Sequence, residues 1–323
     1  MLFYILLMLP LIGSNKVISW RNKRQNTTQF SFINNNIQET RKEITLFNDI
    51  ESFYILGDIG FFSTMLLQIV DRFRNDKNGK TILLGDNFYP NGIIKDNDSQ
   101  WKKYKSVFYS IPHNNIYAIM GNHDYHANPL FQINSNYFEN NEFYFKRTFG
   151  NTDFYFLDTV LLYKGHANIF EDKITFVHNK PYKELKEEQL KWFIYELEKS
   201  NKENKKKIVF GHYPVLTNGL YTNYMKPLYN LLVPIFEKYN VNAYISGHEH
   251  NIQYIKRQIN DYTLNQFVIG SSSQVRSREF KNPYHEDMYE NDNNYYLQMY
   301  EKQDNIFFEF KNKYGIIKHS YVL

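Results

Sequence analysis

Leu84-Gly85-Asp86-Asn87-Phe88-Tyr89-Pro90 is a strand end followed by a tight loop. The apolar run Thr81 to Leu84 has the length of a buried strand. It stops at Gly85, and a carboxylate and a phenol follow within a few residues. A carboxylate held on a loop at a strand end is placed to grip a cation, and Tyr89 can add a phenolate oxygen to the same ion. Four more blocks share this layout: Gly57-Asp58-Ile59-Gly60, Gly121-Asn122-His123-Asp124, Gly211-His212-Tyr213-Pro214 and Gly247-His248-Glu249-His250. All five are expected to converge on a pair of metal ions.

The blocks sit in a regular rhythm. Strands are predicted at Phe53 to Leu56, Thr81 to Leu84, Ile116 to Met120, Ile208 to Phe210 and Ala243 to Ser246, each ending just before a block. Helical spacing marks Met65 to Phe73, Trp101 to Phe108, Lys183 to Lys199 and Leu228 to Tyr239. Tyr144 to Thr148 and Phe154 to Leu157 read as a hairpin across Gly150-Asn151, and the chain from Ile252 to Leu323 alternates as strands do. Strand–helix alternation followed by a strand-rich tail implies an α/β (α+β) protein with mixed sheets. No repeat or interior linker appears, so residues 51–323 are expected to form one domain.

The chain has 323 residues, enough to bury a large core without staples, and a net charge of only +4. Basic residues are spread out, which argues against nucleic acid as a partner. The one dense run, Lys205-Lys206-Lys207, reads as a solvated turn before a strand. There are no cysteines, so disulfides, thiolate catalysis and Cys-ligated zinc are excluded. Leu2 to Ile12 is an apolar run of signal-peptide length, too short to span a bilayer, with small residues Gly13, Ser14 and Ser19 beyond it. Residues 1–19 are therefore expected to be a signal peptide, and 20–50 a polar leader or edge segment. Asn26-Thr27-Thr28 and Asn97-Asp98-Ser99 are glycosylation sequons. No later stretch is apolar enough to span a membrane, which points to a soluble protein in the secretory pathway, secreted or held in a vacuole- or lysosome-like lumen.

Asp58, Asp86, Tyr89, Asn122, His212, His248 and His250 offer oxygen and imidazole ligands without sulfur, a set suited to iron, zinc or manganese. Asp86 can bridge two ions with its two oxygens, and the His-x-His pair can send one imidazole to each. Two ions so placed would clamp a phosphoryl group and acidify a bound water. Each block alone is weak, because Gly and Asp mark turns anyway. Five in this order, each after a strand, are hard to reach by chance.

From about Ser52 onward, these blocks, with Leu157-Asp158-Thr159 and the extension Asn251-Ile252-Gln253-Tyr254, resemble the calcineurin-like metallophosphoesterases. More specifically they resemble the small purple, or tartrate-resistant, acid phosphatases. The resemblance implies a four-layer αββα sandwich of two mixed sheets flanked by helices. Gly60 stands where many relatives carry a histidine ligand, and Tyr89 can replace that ligand. The first ion would then see Asp58, Asp86, Tyr89 and His250, hard anions that favour Fe(III). The second, a divalent Fe(II), Zn or Mn, would see Asp86, Asn122, His212 and His248. By resemblance the reaction is hydrolysis of phosphate monoesters, small molecules or phosphoproteins, with a metal-bound hydroxide as nucleophile. His123 is the candidate to bind the phosphate or protonate the leaving group.

Two positions depart from the pattern. Where small members have a further histidine two residues after His123, this chain has Tyr125, with His126 next. Where they often have one about nine residues after His212, this chain has Tyr221. Two rival functions are a non-catalytic, membrane-bound anchor of the glideosome-associated type and a phosphodiesterase or nucleotidase. The first predicts eroded ligands, and Tyr89 with Gly60 argues against the second.

Overall fold

The computed structural model describes residues 51–276 and 287–323. The Leu2–Ile12 run, the polar leader and the Asn26 sequon lie outside the described residues. In chain order the first elements are β1 (Ser52–Leu56), α1 (Thr64–Val70), β2 (Lys80–Leu83), α2 (Ser99–Phe108), β3 (Ile116–Ala118), α3 (Leu130–Ile133), β4 (Phe145–Phe149) and β5 (Thr152–Phe156). Next come α4 (Thr159–Leu162), α5 (Lys164–His178), α6 (Tyr182–Lys202), β6 (Lys206–Gly211), α7 (Lys226–Tyr239) and β7 (Ala243–Ser246). The tail is all strand: β8 (Ile252–Ile259), β9 (Tyr262–Ile269), β10 (Met288–Glu290), β11 (Tyr295–Lys302), β12 (Asn305–Asn312) and β13 (Ile317–Val322).

These strands build two mixed sheets, ordered β13-β12-β11-β1-β2-β3 and β10-β8-β9-β7-β6-β5-β4. In the first, β1, β2 and β3 are parallel. In the second, β5, β6, β7 and β9 are parallel. Strands buried on both faces must be apolar on both, and β1 follows the rule. Phe53 and Ile55 face the opposing sheet and join its Phe154, Phe210, Ile245 and Phe267, with Phe308 of β12 from their own sheet. Tyr54 and Leu56 face the other way, into a cluster with Leu66, Ile69 and Val70 of α1 and Trp101 and Tyr104 of α2. A third cluster packs Phe193 of α6 and Phe236 of α7 on Tyr155, Val209 and Tyr244 of the second sheet. The three cores separate four layers, as expected: helices, sheet, sheet, helices. Each buried Phe or Leu contributes about 1.5–3 kcal/mol relative to exposure.

The predicted elements are present, with ends that differ by up to three residues. α2 starts early because the Asp98 carboxylate accepts from Gln100 N at 2.9 Å and caps it. The residue before it, Asn97 of the second sequon, is exposed. α5 was not anticipated, and it begins without a capping side chain. The lysine run is more than a turn. β6 begins at Lys206, which pairs with Glu301, and Lys207 is buried with Nζ 2.9 Å from the Lys205 carbonyl. Among the described residues no helix is long and apolar enough to cross a membrane.

Candidate metal centre

Every predicted ligand lies on a loop at the C-terminal end of a parallel strand. Asp58 follows β1, Asp86 and Tyr89 follow β2, Asn122 follows β3, His212 follows β6, and His248 and His250 follow β7. The first four residues come from one sheet and the three histidines from the other, so the site sits where the two sheets' strand ends meet. Three of the seven residues have left-handed backbones: Asp58 (φ 56°), Asp86 (φ 53°) and His248 (φ 69°). Such conformations cost about 1–3 kcal/mol each for non-glycine residues and concentrate at functional sites. Gly121 serves the same loops by its lack of a side chain, since a Cβ there would run into the Asp86 carboxylate and backbone nitrogen.

All seven side chains are buried. Tyr89 Oη lies 3.0 Å from Asp58 Oδ1, 2.9 Å from Asp86 Oδ2 and 3.1 Å from His250 Nε2. His250 Nε2 is 3.5 Å from Asp58 Oδ1. On the other side of Asp86, His212 Nε2 is 3.5 Å from Oδ1 and 3.1 Å from Asn122 Oδ1. Asp58, Asp86 and His212 offer ligand atoms within 4.8 Å of one another. His248 packs its ring 5.1 Å from that of His212, and its backbone N–H donates to Asp58 Oδ2 at 2.8 Å. The side chains thus gather in two groups, Asp58, Tyr89 and His250 on one flank of Asp86, and Asn122, His212 and His248 on the other. His123 stands at the edge, half-exposed, with its ring edge-on to Tyr89 and its backbone N–H on Asp86 Oδ1 at 2.9 Å.

Charge is tightly coupled here. Burial would push Asp58 up, but the His250 and His212 imidazoles and the His248 N–H overrule it and hold the carboxyl below its usual range. Burial would lower His212, and the Asp86 and Asp58 charges instead raise it. Burial, then the same two carboxylates, push the Tyr89 phenol well above its ordinary value. His212 Nδ1 sits 2.9 Å from the Leu84 carbonyl, which can only accept, so Nδ1 carries a proton and Nε2 is the ring atom turned to the cluster.

The sequence of residues 52–251 matches the family model for calcineurin-like phosphoesterases. The chain belongs to that family. Tartrate-resistant acid phosphatase type 5 of Oryctolagus cuniculus is 32% identical over 190 residues, 54% of this chain and 55% of the relative. The chain thus spans about half the length of the curated relatives it matches. A solved structure described as GAP50, the anchor in the inner membrane complex of Plasmodium, is similar with a TM-score of 0.65 at 21% identity, over 85% of this chain and 88% of that one. Purple acid phosphatase PPD1 of yellow lupin (Lupinus luteus) is similar with a TM-score of 0.64 at 16% identity, over 85% of this chain and 53% of the lupin chain. At these identities the two structures show the shared fold.

Around the cluster of this member of the calcineurin-like phosphoesterase family lies a layer of buried acids whose sequence positions do not mark them as ligands. Asp124 accepts from Gly121 N at 2.9 Å, Asn87 N at 3.1 Å, Phe88 N at 3.2 Å and Gln132 Nε2 at 2.9 Å, so it bolts the Asp86 loop to the Asn122 loop. Burial and the Asp86 charge push it up to about 6. Its signal was its place in the Gly121–Asp124 block. Asp158 caps α4, and the neighbouring Thr159 Oγ1 accepts from His212 N and Tyr213 N, both at 3.0 Å. Glu249, between two of the histidines, accepts from Tyr221 N at 2.9 Å and Leu220 N at 3.1 Å.

A cavity of about 240 Å³ opens above the cluster. Asp86, Asn122 and His248 line it, with His123, His126 and Phe170. Tyr221 and Arg276 also line it. Tyr125 does not reach it, being buried in the core with its hydroxyl 2.5 Å from Asp158. His126 takes the place beside His123, with ring centroids 5.2 Å apart. Arg276 was missed because nothing in its serine-rich stretch distinguishes it from other basic residues.

Proposed function

We propose that this chain is an acid phosphatase that hydrolyses phosphate monoesters at a dinuclear centre, Fe(III) beside a divalent Fe, Zn or Mn ion. The observation that supports this most is the convergence of Asp58, Asp86 and His250 on the Tyr89 hydroxyl, all within 3.1 Å. The donor set fits such ions. Two buried carboxylates have only imidazoles as salt-bridge partners among the described residues, and burying such charge is costly unless a cation compensates it. Asp58, Asp86, Tyr89 and His250 would hold the trivalent ion, and Asp86, Asn122, His212 and His248 the divalent one. When bound, the pair supplies charge neutralisation at phosphorus and an acidified water.

The chain's own residues do the rest. The Leu84 carbonyl fixes the His212 tautomer, and Asp86 is held between both flanks to bridge. His123 Nδ1 lies 2.6 Å from the Pro90 carbonyl and donates to it, so Nε2 is the atom that faces the cavity and can hand a proton to the leaving oxygen. The substrates are small phosphate monoesters or phosphoproteins. The apolar run at Leu2–Ile12 supports a secretory route, ending outside the cell or in an acidic lumen.

Metal analysis with a visible spectrum tests the reading. An unperturbed phenol ionises near pH 10, and Tyr89 is pushed higher still. Only a strongly charged ion can make it a ligand at acid pH. The wild type is expected to be coloured by tyrosinate-to-iron charge transfer and most active below pH 7. Tyr89→Phe should bleach the band yet keep some activity. A colourless iron-loaded protein, or an unchanged band in the variant, would sink the purple assignment. A protein that binds no metal and turns over no ester would instead favour a scaffold role, which the likeness to the Plasmodium anchor keeps in view. Faster turnover of diesters than monoesters would favour a phosphodiesterase.

A further inference from the structure

We infer that Arg276 and Tyr221 form a clamp on the substrate's phosphate and make this site selective for monoesters over diesters. The inference rests on the phosphatase reading. Among the described residues, Arg276 is the one permanently charged cation lining the cavity, whose other ionisable walls are imidazoles, a phenol and Asp86. It is anchored at both ends. Its backbone N–H donates to the His250 carbonyl at 3.0 Å, and Nη1 donates to Tyr221 Oη at 3.2 Å. The guanidinium carbon lies 5.8 Å from the Tyr221 ring centroid.

Tyr221 is anchored in turn. Its ring lies 4.3 Å from that of His248 at an interplanar angle of 32°. The Glu249 carboxylate holds its backbone N–H at 2.9 Å and that of Leu220 at 3.1 Å. A guanidinium that reaches the cavity from a fixed backbone, steered by a fixed phenol, is a preorganised anion site rather than a mobile surface charge.

The chemistry follows from charge and size. A cavity of about 240 Å³ holds roughly eight waters' worth of volume, enough for a phosphate and a small ester group. Asp86 on its wall repels an incoming anion. A guanidinium on another part of the same wall offsets that repulsion and can take two phosphate oxygens at once. A monoester dianion offers three unesterified oxygens and two charges. A diester offers two oxygens and one charge, carries a second substituent, and gains less from the fork.

The test uses the full-length, metal-loaded protein with p-nitrophenyl phosphate, bis(p-nitrophenyl) phosphate and inorganic phosphate as inhibitor. Arg276→Gln is expected to raise both the monoester KM and the phosphate inhibition constant about ten- to hundredfold, the range for hydrogen bonds to a charged group. Diester kinetics should change far less, so the preference for monoesters shrinks. Arg276→Lys, which keeps charge without the fork, should fall between. Tyr221→Phe should shift phosphate inhibition in the same direction by a few-fold. Metal content is measured for each variant. A fully metallated Arg276→Gln protein with a phosphate inhibition constant within twofold of wild type overturns the clamp. If the wild type hydrolyses no ester but binds phosphate in calorimetry, and Arg276→Gln abolishes that binding, the phosphatase reading fails and the clamp stands. If the wild type neither hydrolyses nor binds phosphate, both fall.

Discussion

Asp158→Asn should abolish a large part of the pH dependence of this protein's stability. Asp158 is fully buried. Its Oδ1 accepts from Val160 N at 3.0 Å and Leu161 N at 3.3 Å, and Tyr125 donates to Oδ2 at 2.5 Å. Burial pushes the carboxyl from 3.8 up to about 7, although these donors pull the other way. The folded state therefore holds a proton that the unfolded chain releases. The stability this brings is fully present below pH 3.8 and is lost as pH rises through about 7. At about 1.36 kcal/mol per pH unit, that gap is worth roughly 4 kcal/mol. The assay is urea unfolding of wild type and Asp158→Asn between pH 4 and 8, with chelator present so that metal–proton competition does not enter. Titrations common to both proteins cancel in the difference. Wild-type stability relative to the variant should fall by roughly 4 kcal/mol across the range. Two parallel pH curves would refute the reasoning and show that Asp158 folds as a carboxylate.

Asp124→Ala leaves four buried donors, on Gly121, Asn87, Phe88 and Gln132, without their acceptor. At about 1 kcal/mol or more each, urea unfolding should record a loss of about 4 kcal/mol. Asp86→Ala and His248→Ala should both abolish hydrolysis of an aryl phosphate, with Asp86 the worse loss because it serves both flanks. Near-normal turnover by a fully metallated Asp86→Ala protein counts against the ligand assignment. N-terminal sequencing of the native protein should find a start between about Gly13 and Arg21, and a native chain that keeps Met1 contradicts the secretory reading.

The parallel strands were legible because they are short apolar runs ended by glycine and buried on both faces, and the tail because its strands alternate apolar and polar residues. The ligands were legible because each follows such a run. What escaped has a physical reason in each case. α5 begins without a cap, so no local signal marks its start. Tyr125 reads as a neighbour of the site, but a short turn at Asp124–His126 sends it into the core and brings His126 to the cavity instead. Arg276 reaches the site through a backbone bond to His250 and a side-chain bond to Tyr221, contacts between residues 26 and 55 apart in sequence. Glu249 and Asp124 were visible within their blocks, but their role is to hold other loops, which becomes clear only from their hydrogen bonds.

Two of the candidate ligands are also rivets between the sheets. Asp58, at the end of a strand in the first sheet, accepts the His248 N–H from the second. His212, from the second, binds the Leu84 carbonyl of the first. A descendant that abandoned hydrolysis could not discard these two without loosening its frame, whereas Asn122 meets the other sheet through the His212 Nε2 atom, 3.1 Å from its Oδ1, a contact inside the ligand cluster itself. Decay of the chemistry would therefore be uneven, erasing Asn122 early and sparing Asp58 and His212. An inert scaffold descended from such an enzyme would still carry part of its old toolkit as masonry.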